Sequence, residues 1–106
     1  MIKLKNAIDF ANDLKQVYED SFLGYLVFVK ENIISVVVVF DKIKVPRFEE
    51  SARIIGIARQ YISIEKASII EVKELKKFLK DKKVHEYYGR LLMIYDETGK
   101  LFKNLL

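Results

Sequence analysis

The feature that most constrains this fold is a run of four valines, Val36 to Val39, inside the strongly apolar region Phe22 to Asp41. Successive side chains of a β-strand point to opposite faces of the sheet, so a strand built from this run is apolar on both faces. Strands of that kind are found where both faces of their sheet are covered. The run therefore predicts a sheet with something packed on each side.

The same region predicts a β-hairpin. The runs Leu23 to Val29 and Ile33 to Phe40 are rich in the β-branched and aromatic residues that favour strands. The segment Lys30 to Asn32 separates them, and asparagine tolerates the left-handed backbone that a tight turn requires. We therefore expect two adjacent antiparallel strands.

Apolar residues recur at helical spacing on either side of this hairpin. The pattern covers Asn6 to Tyr18 and then Arg47 to Ile62, and Pro46 suits the start of the second helix. In the second helix, apolar residues occupy more than half of the circumference, which is wider than a contact with one sheet requires. We therefore expect this helix to contact a further surface.

The chain after residue 66 predicts a strand followed by a helix. Ala67 to Val72 favours a short strand because of its β-branched residues, although a capping-box pattern makes a helix starting at Ile69 the alternative. A lysine-rich helix begins at Lys73 and is expected to end near Asp81, because Lys82 would fall on its apolar face.

The last third of the chain predicts a second hairpin and completes the fold. Arg90 to Tyr95 and Lys100 to Phe102 flank a turn with Gly99 at its left-handed position. The predicted fold is a single α+β domain, residues 1–106, with a mainly antiparallel sheet of about five strands in the chain order α-β-β-α-β-α-β-β. We expect the helices to pack on one face of this sheet, which leaves its other face for a partner.

The uncovered sheet face indicates an interaction surface. We place this interface at the side chains of Val36, Val37, Val38 and Val39. Ala52 and Gly56, four residues apart in the second helix, would let another backbone approach closely and join the interface. The leading interpretation is a small non-catalytic protein-interaction module that forms a homodimer or is a subunit of a larger complex.

Composition excludes several other classes of function. The 106 residues include no cysteine and one histidine, which leaves little material for nucleophilic catalysis or a metal site. The four glycines are isolated, so no phosphate-binding loop and no cofactor are expected. No stretch approaches the roughly 18 apolar residues of a membrane span, and the first residues do not resemble a signal peptide. We therefore expect a cytoplasmic protein without membrane partners, and its lysine bias indicates a thermophilic source.

A lysine-rich stretch supports nucleic-acid binding as the alternative function. Between Lys73 and Arg90 there are seven basic and three acidic residues, an excess equal to the net charge of +4 of the whole chain. Clustered lysines bind phosphate backbones, and nearby tyrosines stack on bases. Such lysine-rich faces also occur simply as solvated helix surfaces. The predicted nucleic-acid contacts are Lys73, Lys76, Lys77, Lys80, Lys83 and Arg90.

A metal-dependent nuclease is a minor alternative. Glu71 and Lys73 have the E-x-K spacing of a metal-binding acid and a charge-stabilising lysine, and Asp41 ends a predicted strand and would supply the second acid. The helix from Arg47 to Ile62 separates the two acids in sequence, and the spacing arises easily by chance in a chain with fifteen lysines. Asp41 and Glu71 are therefore the candidate metal ligands of this alternative.

Overall fold

The structure, a computed structural model, describes residues 2–106 and has the α+β class that the sequence predicts. These residues form five α-helices and four β-strands, in the chain order α1 (Leu4–Tyr18), β1 (Phe22–Lys30), β2 (Ile33–Phe40), α2 (Arg47–Ala58), β3 (Lys66–Glu71), α3 (Leu75–Lys80), α4 (Lys82–Tyr88), β4 (Arg90–Asp96) and α5 (Lys100–Leu105).

β1 and β2 form the predicted hairpin and lie at the centre of the sheet. Glu31 and Asn32 of the turn have φ values of 51° and 72°. Two successive left-handed residues give the tight connection whose twist matches that of the paired strands. Seven of the nine residues of β1 and six of the eight residues of β2 are buried, so both strands are core on both of their faces.

The sheet has four strands in the order β3-β2-β1-β4. β1 pairs antiparallel with β2 and β4, whereas β2 pairs parallel with β3. Helix α2 connects β2 to β3 and returns the chain to the end of the sheet where β2 began, which is the connection that a parallel pair requires. The prediction of about five mainly antiparallel strands is therefore corrected to a mixed sheet of four.

Two helices cover one face of the sheet, which we call the α1–α2 face. α1 contributes four buried residues to it, among them Phe10 and Leu14, and α2 contributes Ile54 and Ala58. The strands contribute alternate residues of the central hairpin, including Tyr25. The Tyr25 hydroxyl donates a hydrogen bond of 2.7 Å to the carbonyl oxygen of Ala7, which fixes α1 above β1.

Three short helices cover the opposite face, which we call the α3–α5 face. Leu75 of α3 and Leu101 of α5 are fully buried there against Val37, Val39 and Phe28. Burying a leucine side chain contributes roughly 2 kcal/mol. The prediction that all helices pack on one face is therefore wrong, because the chain after β3 crosses to the other face and supplies its own cover.

The segment predicted as the last strand, Lys100 to Phe102, is the start of helix α5 instead. The Asp96 carboxylate accepts hydrogen bonds from the backbone N–H groups of Gly99, Leu101 and Phe102. A carboxylate in this position satisfies the free N–H groups at a helix start. Gly99 does have the expected left-handed backbone, with φ 83°, but it leads into a helix.

The remaining predicted elements are confirmed in type. β3 is a strand, and the alternative helix beginning at Ile69 does not form, because the capping box is made three residues later by Glu71 and Glu74. The lysine-rich helix ends at Lys80, close to the predicted Asp81, whose side chain then accepts a hydrogen bond from the Lys83 N–H at the start of α4. Across residues 2–106, every helix is too short or too polar to cross a membrane.

Candidate functional site

The valine run predicted as an interface is fully buried within the chain itself. Val36 and Val38 lie in the core of the α1–α2 face, and Val37 and Val39 lie in the core of the α3–α5 face. All four are 0% exposed. Their side chains therefore offer no surface to a second molecule, and any interface must lie elsewhere.

Ala52 and Gly56, the other predicted interface residues, lie on the exposed side of α2. A Cβ atom placed on Gly56 would find no other atom within 4 Å. This side of α2 is open, and its part in an interface stays a prediction.

The structure divides the predicted nucleic-acid contacts. Lys76 and Lys77 belong to α3 and Lys83 to α4, and these helices are separated at Asp81. Lys73 and Lys77 line one shallow cavity of about 360 Å³, whereas Lys83 lines a different one of about 450 Å³. All six predicted contacts, including Lys80 and Arg90, are exposed. Nucleic-acid binding by this set stays a prediction, without the single continuous stripe that motivated it.

The acids of the nuclease alternative do lie at the same end of neighbouring strands. Asp41 follows Phe40, whose partner across the parallel pair is Glu71. The Glu71 carboxylate is already engaged, since it accepts the Ile43 N–H at 2.9 Å and pairs with Lys73 Nζ at 3.1 Å. These hydrogen bonds, first that from Ile43 and then that from Lys73, lower the pKa of Glu71. Within residues 2–106, no three or more acidic or histidine side chains are grouped to hold a metal ion.

The outer edge of β4 is a hydrogen-bonding surface of the sheet. β4 is the last strand of the order and pairs with β1 alone. Glu97 N–H, just past the strand, donates to the Leu23 carbonyl of β1. Backbone groups alternate in direction along a strand, so those of Ile94 and Asp96 point away from β1. An edge of this kind is a template for pairing with another strand.

The side chains of β4 reinforce this edge. Its five central residues, 91–95, are all apolar or aromatic, without the charge or proline that commonly blocks an edge. Leu92 is the extra residue of a β-bulge opposite β1, and 42% of its surface is exposed. The stretch after this bulge, from Met93 to Asp96, pairs regularly with β1.

The other edge of the sheet, β3, is more protected. It begins and ends with the charged residues Lys66 and Glu71. The guanidinium of Arg47 donates a hydrogen bond to the Ile69 carbonyl and pairs with Glu74 at 3.0 Å. A charged side chain that lies against the backbone of an edge strand obstructs the approach of another strand.

Helix α1 carries two exposed apolar residues on the side that points away from α2. Asn6 and Asp13 bond to Tyr61 and so mark the side of α1 that faces the end of α2. At 100° per residue, Leu4 and Ile8 lie on the opposite side of the helix, and they are 74% and 39% exposed. Because the sheet continues from β1 to β4 on that side, we expect these two residues above the β4 edge. We call Leu4, Ile8, Leu92 and the outer backbone of Ile94 and Asp96 the β4 edge surface.

Two stacked tyrosines join β1 and β4 next to this surface. The rings of Tyr25 in β1 and Tyr95 in β4 are parallel, with centroids 5.2 Å apart. Burial raises the pKa of Tyr25, and burial followed by the charge of Glu97 raises the pKa of Tyr95. Both rings therefore stay neutral across the physiological range, and β4 is held firmly to β1.

Comparison with known proteins found no matching family model, curated protein or solved structure. The function must therefore be inferred from the geometry of this chain.

Sequence reasoning missed the β4 edge surface because it paired β4 with a further strand at Lys100 to Phe102, and a strand that is paired on both sides has no free edge. The signal that was available is Asp96, followed three residues later by Gly99. An acid just before a short apolar segment is also typical of a helix start.

Proposed function

We propose that this chain is a non-catalytic interaction module that forms a homodimer through the β4 edge surface. The single observation that supports the proposal is an edge strand with five uncharged central residues and outward-pointing backbone groups. Antiparallel pairing of two such edges would join two four-stranded sheets into one of eight strands. Main-chain hydrogen bonds provide the affinity in this type of pairing.

The charges at the ends of β4 favour a second copy as the partner. β4 begins with Arg90 and ends with Asp96, which Glu97 follows. Antiparallel pairing about a two-fold axis brings the basic end of one copy beside the acidic end of the other, and it does so twice. A surface that is complementary to itself in this way favours its own copy over an unrelated strand.

The exposed residues of α1 provide the apolar part of the interface. A stable dimer buries roughly 1,200–2,000 Å² in total, which is more than two paired backbones supply. Leu4 and Ile8 from each copy would add apolar contacts beside the joined strands. The proposed function is therefore still the protein interaction that the sequence predicts, but the proposed interface is the β4 edge surface and not the valines of β2. Cytoplasmic location and thermophilic source stay predictions from composition.

The test measures the molar mass in solution by multi-angle light scattering after size-exclusion chromatography. We expect twice the chain mass of 12.5 kDa at micromolar concentration. Leu92→Lys places a charge on the β4 edge surface and should give a monomer. Phe48→Lys is the matched control, because it replaces an apolar residue that is 88% exposed on α2, and it should remain dimeric.

Two results would contradict the proposal. A wild-type chain that stays monomeric at several hundred micromolar does not use β4 to bind its own copy. A dimer that survives Leu92→Lys but dissociates in Phe48→Lys is held by α2, near the predicted Ala52 and Gly56, rather than by β4.

A further inference from the structure

A cavity lined by lysine, glutamate, serine and tyrosine residues lies on the α3–α5 face and has no part in the proposed dimer. It has a volume of about 450 Å³ and lies where α4 passes the β1–β2 turn and the beginning of β3. This volume falls within the range of cavities that hold small molecules. Lys30, Lys66 and Lys83 line it from three different elements, together with Ser35, Tyr87 and Tyr88.

Two residues with hydroxyl groups that are anchored in the fold, Ser35 of β2 and Tyr88 of α4, line the cavity. Ser35 of β2 is only 1% exposed yet lines the cavity, so the small exposed part of this residue faces it. Beside it on β3, the Ser68 hydroxyl is hydrogen-bonded to the Tyr88 hydroxyl. The Tyr88 ring is held in turn against Phe28, with ring centroids 5.4 Å apart. The Tyr88 side chain is therefore held in place by the folded core.

Two of the three cationic groups that line the cavity, those of Lys66 and Lys30, are also held in place. Lys66 is the register partner of Ser35, and its Nζ lies 4.1 Å from the centre of the Tyr87 ring. Lys30 Nζ donates a hydrogen bond to the Glu86 carbonyl oxygen. Lys83 is exposed at the mouth of the cavity. Glu31 and Glu86 also line the cavity, so its lining carries a net charge of about +1.

We propose that this cavity binds the phosphate group of a small phosphorylated molecule. Among the residues that the structure describes, three lysines line the cavity and no arginine does. Arginine is the usual partner of carboxylates because of its bidentate geometry, whereas lysine binds phosphate as a point charge. Lys66 and Lys83 supply the positive charge, the Ser35 and Tyr88 hydroxyls donate to phosphate oxygens, and the Tyr87 ring flanks the rest of the ligand. A polar ligand body suits a lining in which Ile33 is the one aliphatic residue.

The test is an NMR titration of the ¹⁵N-labelled chain with inorganic phosphate and with glucose 6-phosphate. Glucose, and sodium chloride at the same ionic strength, are the controls. We expect saturable shifts at the amides of Ser35, Lys66 and Tyr88 with both phosphates and none with glucose. The variant Lys66→Gln/Lys83→Gln should weaken glucose 6-phosphate binding about tenfold or more, since charged hydrogen bonds are lost.

The matched control is Lys76→Gln/Lys80→Gln, which removes the same charge from α3 without touching the cavity. It should change the affinity less than threefold. The proposal would be overturned if both variants weakened glucose 6-phosphate binding equally, or if the shifts spread over all exposed lysines without saturating. Either result would show a general attraction between the phosphate and the basic surface. Glucose binding as tight as glucose 6-phosphate binding would overturn the role of the phosphate. The cavity residues lie outside the β4 edge surface, so these results are independent of the dimer.

Discussion

Gly89 turns the chain from α4 into β4 and shows how one residue limits the fold. Its φ is +89°, a left-handed backbone that other residues adopt only at a cost. A Cβ atom at this position would lie 2.0 Å from the Val29 carbonyl oxygen of β1. Gly99 has a similar φ of +83°, but a Cβ there would meet no atom within 4 Å. A substitution at Gly99 therefore introduces backbone strain alone, whereas one at Gly89 introduces both backbone strain and a steric collision.

We predict a graded response to alanine at three glycines. Gly56→Ala, in the exposed middle of α2, should stabilise the chain by about 0.5–1 kcal/mol, because alanine favours the helix. Gly99→Ala should cost about 1 kcal/mol from strain alone. Gly89→Ala should cost about 3 kcal/mol or more, because collision adds to strain. Urea unfolding measures all three, and equal costs at Gly89 and Gly99 would refute the close approach to Val29.

Glu50 is a charged residue that has two roles in the fold. Its position at the start of α2 suits the helix dipole, but the structure also buries it to 5% exposure. The Tyr18 hydroxyl of α1 donates to its carboxylate, and Arg53 lies 3.7 Å away. Burial and then Glu50 raise the pKa of Tyr18. The sequence pattern could not predict the contact between Tyr18 and Glu50, because these residues are 32 positions apart and meet only when α1 and α2 pack together.

At the scale of elements, Glu71 fastens the segment after β2 to the end of β3. Its carboxylate accepts the Ile43 N–H and pairs with Lys73, and its backbone N–H donates to Glu74. Because the hydrogen bond from Ile43 and then that from Lys73 lower the pKa of Glu71 from the ordinary value of 4.5, the carboxylate binds a proton more weakly in the native state than in the unfolded state. The stabilisation is therefore complete above about pH 4.5 and is lost as the pH falls through the lowered pKa.

We predict that Glu71→Gln removes part of the acid sensitivity of the fold. The wild type should lose stability between pH 5 and 3 more steeply than the variant. The difference between the free energies of unfolding of the wild type and Glu71→Gln should therefore narrow as the pH falls. The effect is modest, because the carboxylate is near solvent. Denaturant unfolding at several pH values measures it, with Glu65→Gln as a control at an exposed carboxylate. Parallel curves for the wild type and Glu71→Gln would show that these contacts add no stability.

The elements that the sequence predicts well are those with a strong local pattern. α1, the β1–β2 hairpin and β3 follow from periodicity and from β-branched composition over six or more residues. α5 is only six residues long, and its helical state depends on the Asp96 cap and on burial of Leu101. Local propensity cannot decide such a segment, because isolated helices of this length are unstable. The β4 edge surface could not be predicted from the sequence for the same reason, because the edge is free only if Lys100 to Phe102 is not a strand.

At the scale of the whole molecule, the sequence predicted that both faces of the hairpin need cover but not what covers them. The prediction assigned all helices to one face, and the uncovered valines then became an interface. The structure instead distributes the helices, two on one face and three on the other. Strand order and the path of connections depend on contacts distant in sequence, for which a single chain carries no periodic signal. The valine run thus requires both faces of the sheet to be covered, and the helices of the same chain cover them.

Because both faces are covered, we predict that neighbouring valines on opposite faces contribute equally to the stability of the fold. Val37 packs in the core of the α3–α5 face and Val38 in the core of the α1–α2 face, and both are fully buried. Removing two buried methyl groups costs about 2 kcal/mol, including the cavity that remains. Val37→Ala and Val38→Ala should therefore each lower the free energy of unfolding by about that amount, measured by urea unfolding at a fixed protein concentration.

The mass of both valine variants in solution should equal that of the wild type, because neither side chain reaches the β4 edge surface. Both should also unfold in a single transition, since the two cores share β1 and β2 and neither can be lost alone. If one variant were tolerated within 0.5 kcal/mol while the other was not, one sheet face would be open in solution. That result would support an interface at the β2 valines and would contradict the proposed interface at β4.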